Sequence, residues 1–298
     1  MGRKVLATLV AILGIGVLTA AAAAASGDRV VLAPAKVSDR HVLFKLLRAA
    51  KPAAEPARPS GFRVLAEGYL KPRDYDLSVG RLYSIIPPNG KYVEECTATV
   101  VAPNVVLTAA HCVYDLKSGR QDMGYLFVPG MDGSSEPAGT WDGTASAYWS
   151  RWARAPRASL DYAFVTLKPN QRGQNVADLT GYHRIVEYAR PGRVFVEGYP
   201  ASGPFSKRCT FTSCFVTYCY SPLGGIFSGS YGSVLGIGCL TAQGSSGGPW
   251  FVRSHGRFAI GSVTAIGFNL GRARYARAIF GPQFGSSLQR LLKAAERG

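Results

Sequence analysis

Three stretches of the chain carry side chains that could do covalent chemistry together: VVLTAAHC at 105–112, SLDYAFVTL at 159–167 and TAQGSSGGPW at 241–250. A serine hydroxyl is a poor nucleophile at neutral pH. It attacks when a histidine takes its proton and a carboxylate fixes that histidine's tautomer and steadies the imidazolium. Backbone N–H groups must also face the oxygen on which charge develops. His111, Asp161 and Ser246 supply the three side chains. Glycine at 244 permits the backbone conformation that would turn the N–H groups of Gly244 and Ser246 inward as an oxyanion hole. Each segment also has a blander reading on its own. A histidine after a strand is often structural, an aspartate opening a strand often caps a turn, and a Gly/Ser run is often a slack loop.

The elements that must hold these groups read as strands. Short apolar runs rich in Val, Ile, Phe and Tyr alternate with Gly, Pro, Asn and Ser: TATVV (97–101), NVVLTAA (104–110), YLFVPG (125–130), YAFVTL (162–167), RVFVEGYP (193–200), FVTYCY (215–220), PWFV (249–252) and FAIGSVTAI (258–266). Such runs bounded by turn residues, without alternating helices, indicate an all-β sandwich or barrel. The C-terminal stretch 286–298 is the exception. Leu288, Leu291, Leu292 and Ala295 recur at helical spacing, and the preceding serine pair is placed to cap a helix. Trp141, Trp149 and Trp152 lie among basic residues. They are expected to pack a long loop onto the barrel, although glycan or nucleic-acid binding would use the same residue types.

The 298 residues, 47% hydrophobic and 17% charged, have ample material for a core and exclude a disordered chain. The net charge of +16 suits a soluble secreted protein and includes no Lys/Arg run that would mark a dedicated nucleic-acid patch. Arg3 and Lys4 precede an uncharged run from Val5, then small residues up to Ser26. That pattern is a secretory signal over 1–26; a membrane anchor is the competing reading. Residues 27–77 contain no cysteine and hold a helix-like stretch with Val42, Leu43, Leu46 and Leu47 before a Pro/Ala/Glu linker. They read as a propeptide or N-terminal extension whose removal is expected to raise activity, ahead of a domain over 78–298. Export makes disulfides the expected use of the six cysteines. Zinc is the rival use, but the four histidines are scattered and the cysteine spacing matches no ribbon or finger.

Taken together, TAAHC and GSSGGP, in the order His, Asp, Ser, resemble the chymotrypsin-like (trypsin-like) serine proteases. The FVPG, DYAFVTL and EGYP stretches resemble secreted bacterial members related to the glutamyl endopeptidases. The resemblance spans about residues 78–290. It implies two six-stranded antiparallel β-barrels with the active site between them and a short C-terminal helix over 286–297. It implies His111, Asp161 and Ser246 as the catalytic triad, Gly244 and Ser246 as the oxyanion hole, and a disulfide from Cys96 to Cys112. The remaining cysteines permit three pairings, of which Cys209 with Cys214 and Cys219 with Cys239 are expected. The implied activity is that of a monomeric secreted endopeptidase acting on protein or peptide substrates. It requires no metal or organic cofactor and no specific nucleic acid, and it meets the membrane only through its signal. The same fold as a non-catalytic binding protein, or the same triad acting on esters, stays open.

Departures from the family pattern matter. Ser245 stands where activated vertebrate members have an aspartate for a new N-terminal ammonium, so that switch is not expected. Six residues before Ser246, where trypsin's aspartate selects Arg and Lys, is Leu240. Thr241 matches the glutamyl endopeptidases, but Val263 and Thr264 stand where those enzymes place a histidine. Leu240, Thr241, Thr264 and Ala265 therefore outline an expected pocket for a small or apolar side chain. Ala265 falls where the family often has a serine that bonds the substrate backbone.

Overall fold

A computed structural model describes residues 28–35, 62–71, 74–87, 90, 92–201, 205–210, 212–229, 232–241, 243–268 and 276–298. Residues 1–26, read above as a signal, and the helix-like stretch around Leu43 lie outside the described residues. In chain order the longer strands are β1 (Val30–Pro34), β2 (Ala66–Tyr69), β3 (Val79–Ile86), β4 (Tyr92–Ala102), β5 (Val105–Thr108), β6 (Tyr125–Pro129), β7 (Trp141–Trp149) and β8 (Ala163–Leu167). They continue as β9 (Arg193–Gly198), β10 (Thr217–Gly229), β11 (Gly232–Thr241), β12 (Pro249–Ser254), β13 (Arg257–Val263), β14 (Ile266–Phe268) and β15 (Ala276–Pro282). Helices are short: α1 (Ser150–Arg154), α2 (Ala177–Thr180) and α3 (Leu288–Ala295).

The first sheet runs β1-β7-β8-β5-β4-β3-β6, and a further pairing of β7 with β6 closes six of its strands into a barrel. Its interior is built from the alternate inward positions of those strands, among them Leu82, Ala98, Val100, Val106, Tyr125, Phe127 and Val165, all at most 1% exposed. The second sheet runs β13-β12-β9-β10-β11-β15-β14, with β2 added on β10. The expected second closed six-stranded barrel is in fact a curled eight-stranded sheet. Strand β2 adds an extra partner to β10. Past Val263 the chain passes from β12 to β15: Thr264 N–H donates to Gly248 C=O at 2.9 Å, in register with the β12–β13 ladder, and Ala265 N–H to Phe280 C=O at 3.0 Å, ahead of the β14–β15 pairing.

The two N-terminal pieces are thus parts of the sheets. Residues 30–34 pair antiparallel with 145–149, and residues 66–69 with 217–220. Three disulfides join Cys96 to Cys112, Cys209 to Cys214 and Cys219 to Cys239; the last ties β10 to β11. Trp141, Trp149 and Trp152 are 3%, 1% and 4% exposed, which is packing and not a binding face. In α3, Leu288, Leu291 and Ala295 are buried while Leu292 is half-buried. Ser287 does not cap it; its hydroxyl pairs with Tyr162 instead.

Candidate active site

His111 lies in a 3₁₀ turn, Ala110–Cys112, directly after β5. The Cys96–Cys112 disulfide ties that turn to β4. Asp161 follows a second 3₁₀ turn, Ala158–Leu160, and precedes β8, which pairs with β5 with Ala163 opposite Thr108. Pairing of the two strands places the two turns side by side. The Asp161 carboxylate accepts two bonds from one residue: Oδ1 from the His111 backbone N–H at 3.0 Å and Oδ2 at 2.8 Å from ring Nδ1. Asp161 is 1% exposed. Two contacts from one buried carboxylate fix both the position and the tautomer of the ring, leaving Nε2 as the free nitrogen.

Burial disfavours a charged imidazole, but the Asp161 carboxylate outweighs it, helped by Glu94 and Asp122. Together they lift His111 to about 9. Asp122 is itself pushed up to about 8, by burial first and then by Glu94 and Asp115.

The turn at 244–248 is held from both sheets. Gly244 and Gly247 take φ of +94° and +80°. At Gly247 the space for a side chain is also gone: a Cβ would stand 2.2 Å from Thr108 Oγ1 and 2.3 Å from the Thr97 carbonyl. The turn therefore presses against the end of β5, three residues before His111. Gly247 N–H donates to Thr264 C=O at 2.7 Å and Gly248 N–H to Ser245 C=O at 3.0 Å. Among the described residues no acceptor takes the N–H of Gly244 or of Ser246. Ser245 is 4% exposed and packs on Gly198 of β9; Ser246 is half-buried.

Thr97 escaped the reading of the sequence. Its hydroxyl donates to Gly244 C=O at 2.8 Å and accepts from Tyr199 N–H at 2.9 Å. Its own N–H donates to Ser246 C=O at 2.7 Å, and its C=O accepts from the Thr108 hydroxyl at 2.9 Å. One residue of the first barrel thus latches the turn at Gly244 and at Ser246. Its partners lie far along the chain, and nothing beside it in the sequence marks it. Thr97→Val keeps the shape and removes the hydroxyl, leaving Gly244 C=O and Tyr199 N–H buried and unpaired. The expected loss is about 1–3 kcal/mol of stability, read by denaturant unfolding, together with a lower kcat as Gly244 loses its anchor.

The expected pocket residues divide. His111 and Asp161 line a cleft of about 430 Å³ with Trp152, Ala158, Ala265 and Ile266. Ala265 is thus beside the pair. Thr264 does not line this cleft: it is 4% exposed, its hydroxyl accepts from Trp250 Nε1 at 3.0 Å, and its backbone holds the 247–248 turn. Leu240 and Thr241 end β11, where Leu240 N–H donates to Glu67 Oε2 at 3.2 Å and Thr241 pairs with Ala276. Cys96, His111 and Cys112 bring three possible metal donors within 4.8 Å of one another. The disulfide consumes both sulfurs, so this set does not fit a metal ion, which needs thiolates.

Over 127 residues the chain is 33% identical to an extracellular metalloprotease of Bacillus subtilis (strain 168), covering 41% of this chain and 38% of that protein. Over 108 residues it is 30% identical to a glutamyl endopeptidase of Bacillus licheniformis, covering 36% of this chain and 33% of that protein. The match thus spans well under half the length of these curated relatives. Among solved structures, the protease Anisep from Arthrobacter nicotinovorans superposes with a TM-score of 0.64 at 24% identity, covering 78% of this chain and 100% of that one. A thermostable serine protease from an extremophilic microorganism gives 0.63 at 26% identity, covering 75% and 99%. The family model of the trypsin-like peptidase domain matches residues 96–261, more than half of the chain, and the protein belongs to that family.

Proposed function

We propose that this protein is a secreted serine endopeptidase working through His111, Asp161 and Ser246. The observation that carries the proposal is the double grip of Asp161 on the backbone and ring of His111, beside a turn whose Gly244 and Ser246 N–H groups are unspent. In this reading Ser246 Oγ attacks the peptide carbonyl and passes its proton to His111 Nε2. The carbonyl oxygen becomes an oxyanion held by the two N–H groups. Collapse of the tetrahedral adduct breaks the C–N bond, and Nε2 returns the proton to the departing amine. Water, deprotonated by the same nitrogen, then releases the acyl group and regenerates the serine.

Three disulfides, and a relative whose name calls it extracellular, support an oxidising destination. Leu240 in place of an acidic pocket residue favours small or apolar side chains at the cleaved bond. Fluorophosphonate labelling of the purified protein, followed by matched peptide and ester substrates, tests the proposal. Labelling with cleavage of both substrates is expected. Ester cleavage alone points to an esterase, and no label at all to a binding protein.

A further inference from the structure

The N-terminal residues raise a question that the triad does not answer. Strand β1 pairs along the end of β7, from Val30 opposite Trp149 to Pro34 opposite Ala145. Just before it, Arg29 and Asp28 grip the start of α1. Ser150 N–H donates to Arg29 C=O at 2.8 Å, and Arg29 N–H to Ser150 Oγ at 3.1 Å. Asp28 Oδ1 accepts the Arg151 N–H at 3.0 Å, and its other oxygen lies 3.8 Å from the Arg151 guanidinium. The hold extends to the other side of the strand, where Gln121 Nε2 donates to Ala33 C=O at 3.1 Å.

What this segment braces is the approach to Asp161. Trp149 Nε1 donates to the hydroxyl of Tyr162, the residue after Asp161, at 2.8 Å. Trp152, carried by α1, is buried and walls the cleft together with Ala158, His111 and Asp161. A helix of five residues has little stability of its own, so its position comes from what caps it and packs on it. Two tryptophans thus connect residues 28–34 to the two sides of Asp161.

We infer that residues 28–34 remain in the working enzyme as a positioning strand, with Asp28 the positioning residue that orders α1 and, through Trp149 and Trp152, the Asp161 segment. This rests on the serine endopeptidase reading. It reverses the expectation that removing all of 27–77 raises activity: loss of this strand lowers it.

The test uses the full chain with Asp28→Ala and Asp28→Asn, since asparagine keeps an oxygen for the Arg151 N–H. Asp28→Ala is expected to lower kcat about ten-fold with little change in KM, and Asp28→Asn to restore most of it. Amide exchange is expected to quicken over 149–162 in Asp28→Ala and to be unchanged around Ser246. N-terminal sequencing of the fluorophosphonate-labelled species is expected to find residues 28–35 present. An Asp28→Ala protein with unchanged or higher kcat overturns the inference. So does a lower melting temperature with unchanged kcat and unchanged exchange at 149–162, or a fully active species that begins after Ala35. If the wild type neither labels nor cleaves, the endopeptidase reading fails; the exchange measurement still decides whether Asp28 orders the 149–162 segment.

Discussion

Replacing Ser246 with alanine should abolish fluorophosphonate labelling and lower kcat by about 10⁶-fold, while Ser245→Ala should keep both. The two serines are neighbours with opposite surroundings. Ser245 is 4% exposed and turned against Gly198 of β9. Ser246 is half-buried, and its carbonyl is fixed by Thr97 N–H, an anchor that alanine retains. The Ser246→Ala fold should therefore survive, and its loss of rate should reflect the missing nucleophile alone. The N–H groups of positions 244 and 246 persist in the variant, so a residual rate of about 10³ over water is expected. Loss of the label in Ser245→Ala with a normal melting temperature would place the nucleophile one residue earlier and overturn the assignment.

Much of the site was legible because its chemistry sits in short local signals. An apolar run ending in AAHC, an aspartate opening DYAFVTL and a Gly-rich turn before Pro249 each announce a strand end with a polar group on it. Strand pairing then had few ways to bring these ends together. What stayed hidden depends on partners distant in sequence. Thr97 bonds to Gly244, 147 residues away, and nothing beside it distinguishes it from any strand threonine. Strands β1 and β2 have the unpatterned sequences VVLAP and AEGY, half-exposed on both faces, and become strands only because β7 and β10 offer them an edge. Thr264 likewise has a partner that its place in the motif does not show. Its hydroxyl accepts from Nε1 of Trp250 on β12, 14 residues back along the chain.

The pH dependence follows from the charges around His111. Only the neutral ring can accept the Ser246 proton, so hydrolysis should rise with pH as the imidazolium at about 9 loses its proton. Asp122 ionises on the way, at about 8, and its added negative charge holds the His111 proton longer, keeping the limb alkaline. The same shift has a cost in stability. A histidine whose folded pKa is raised from the usual 6.5 to about 9 stabilises the fold fully below about 6.5 and loses that contribution as pH rises through 9. The reactive form is therefore the less stable one. Asp161→Asn removes the counter-charge while keeping the shape. Burial then dominates, the His111 pKa falls, and the rising limb should move to lower pH. The maximal rate should nevertheless drop by about 10⁴-fold, because an amide at this position can donate to Nδ1 and leave the proton on Nε2, where it blocks transfer from Ser246. A pH–rate profile of the two proteins decides the matter. A limb that stays near 9 in Asp161→Asn would mean that other carboxylates, Glu94 and Asp122, set the proton affinity of the ring, and Asp161 would be left with orientation alone.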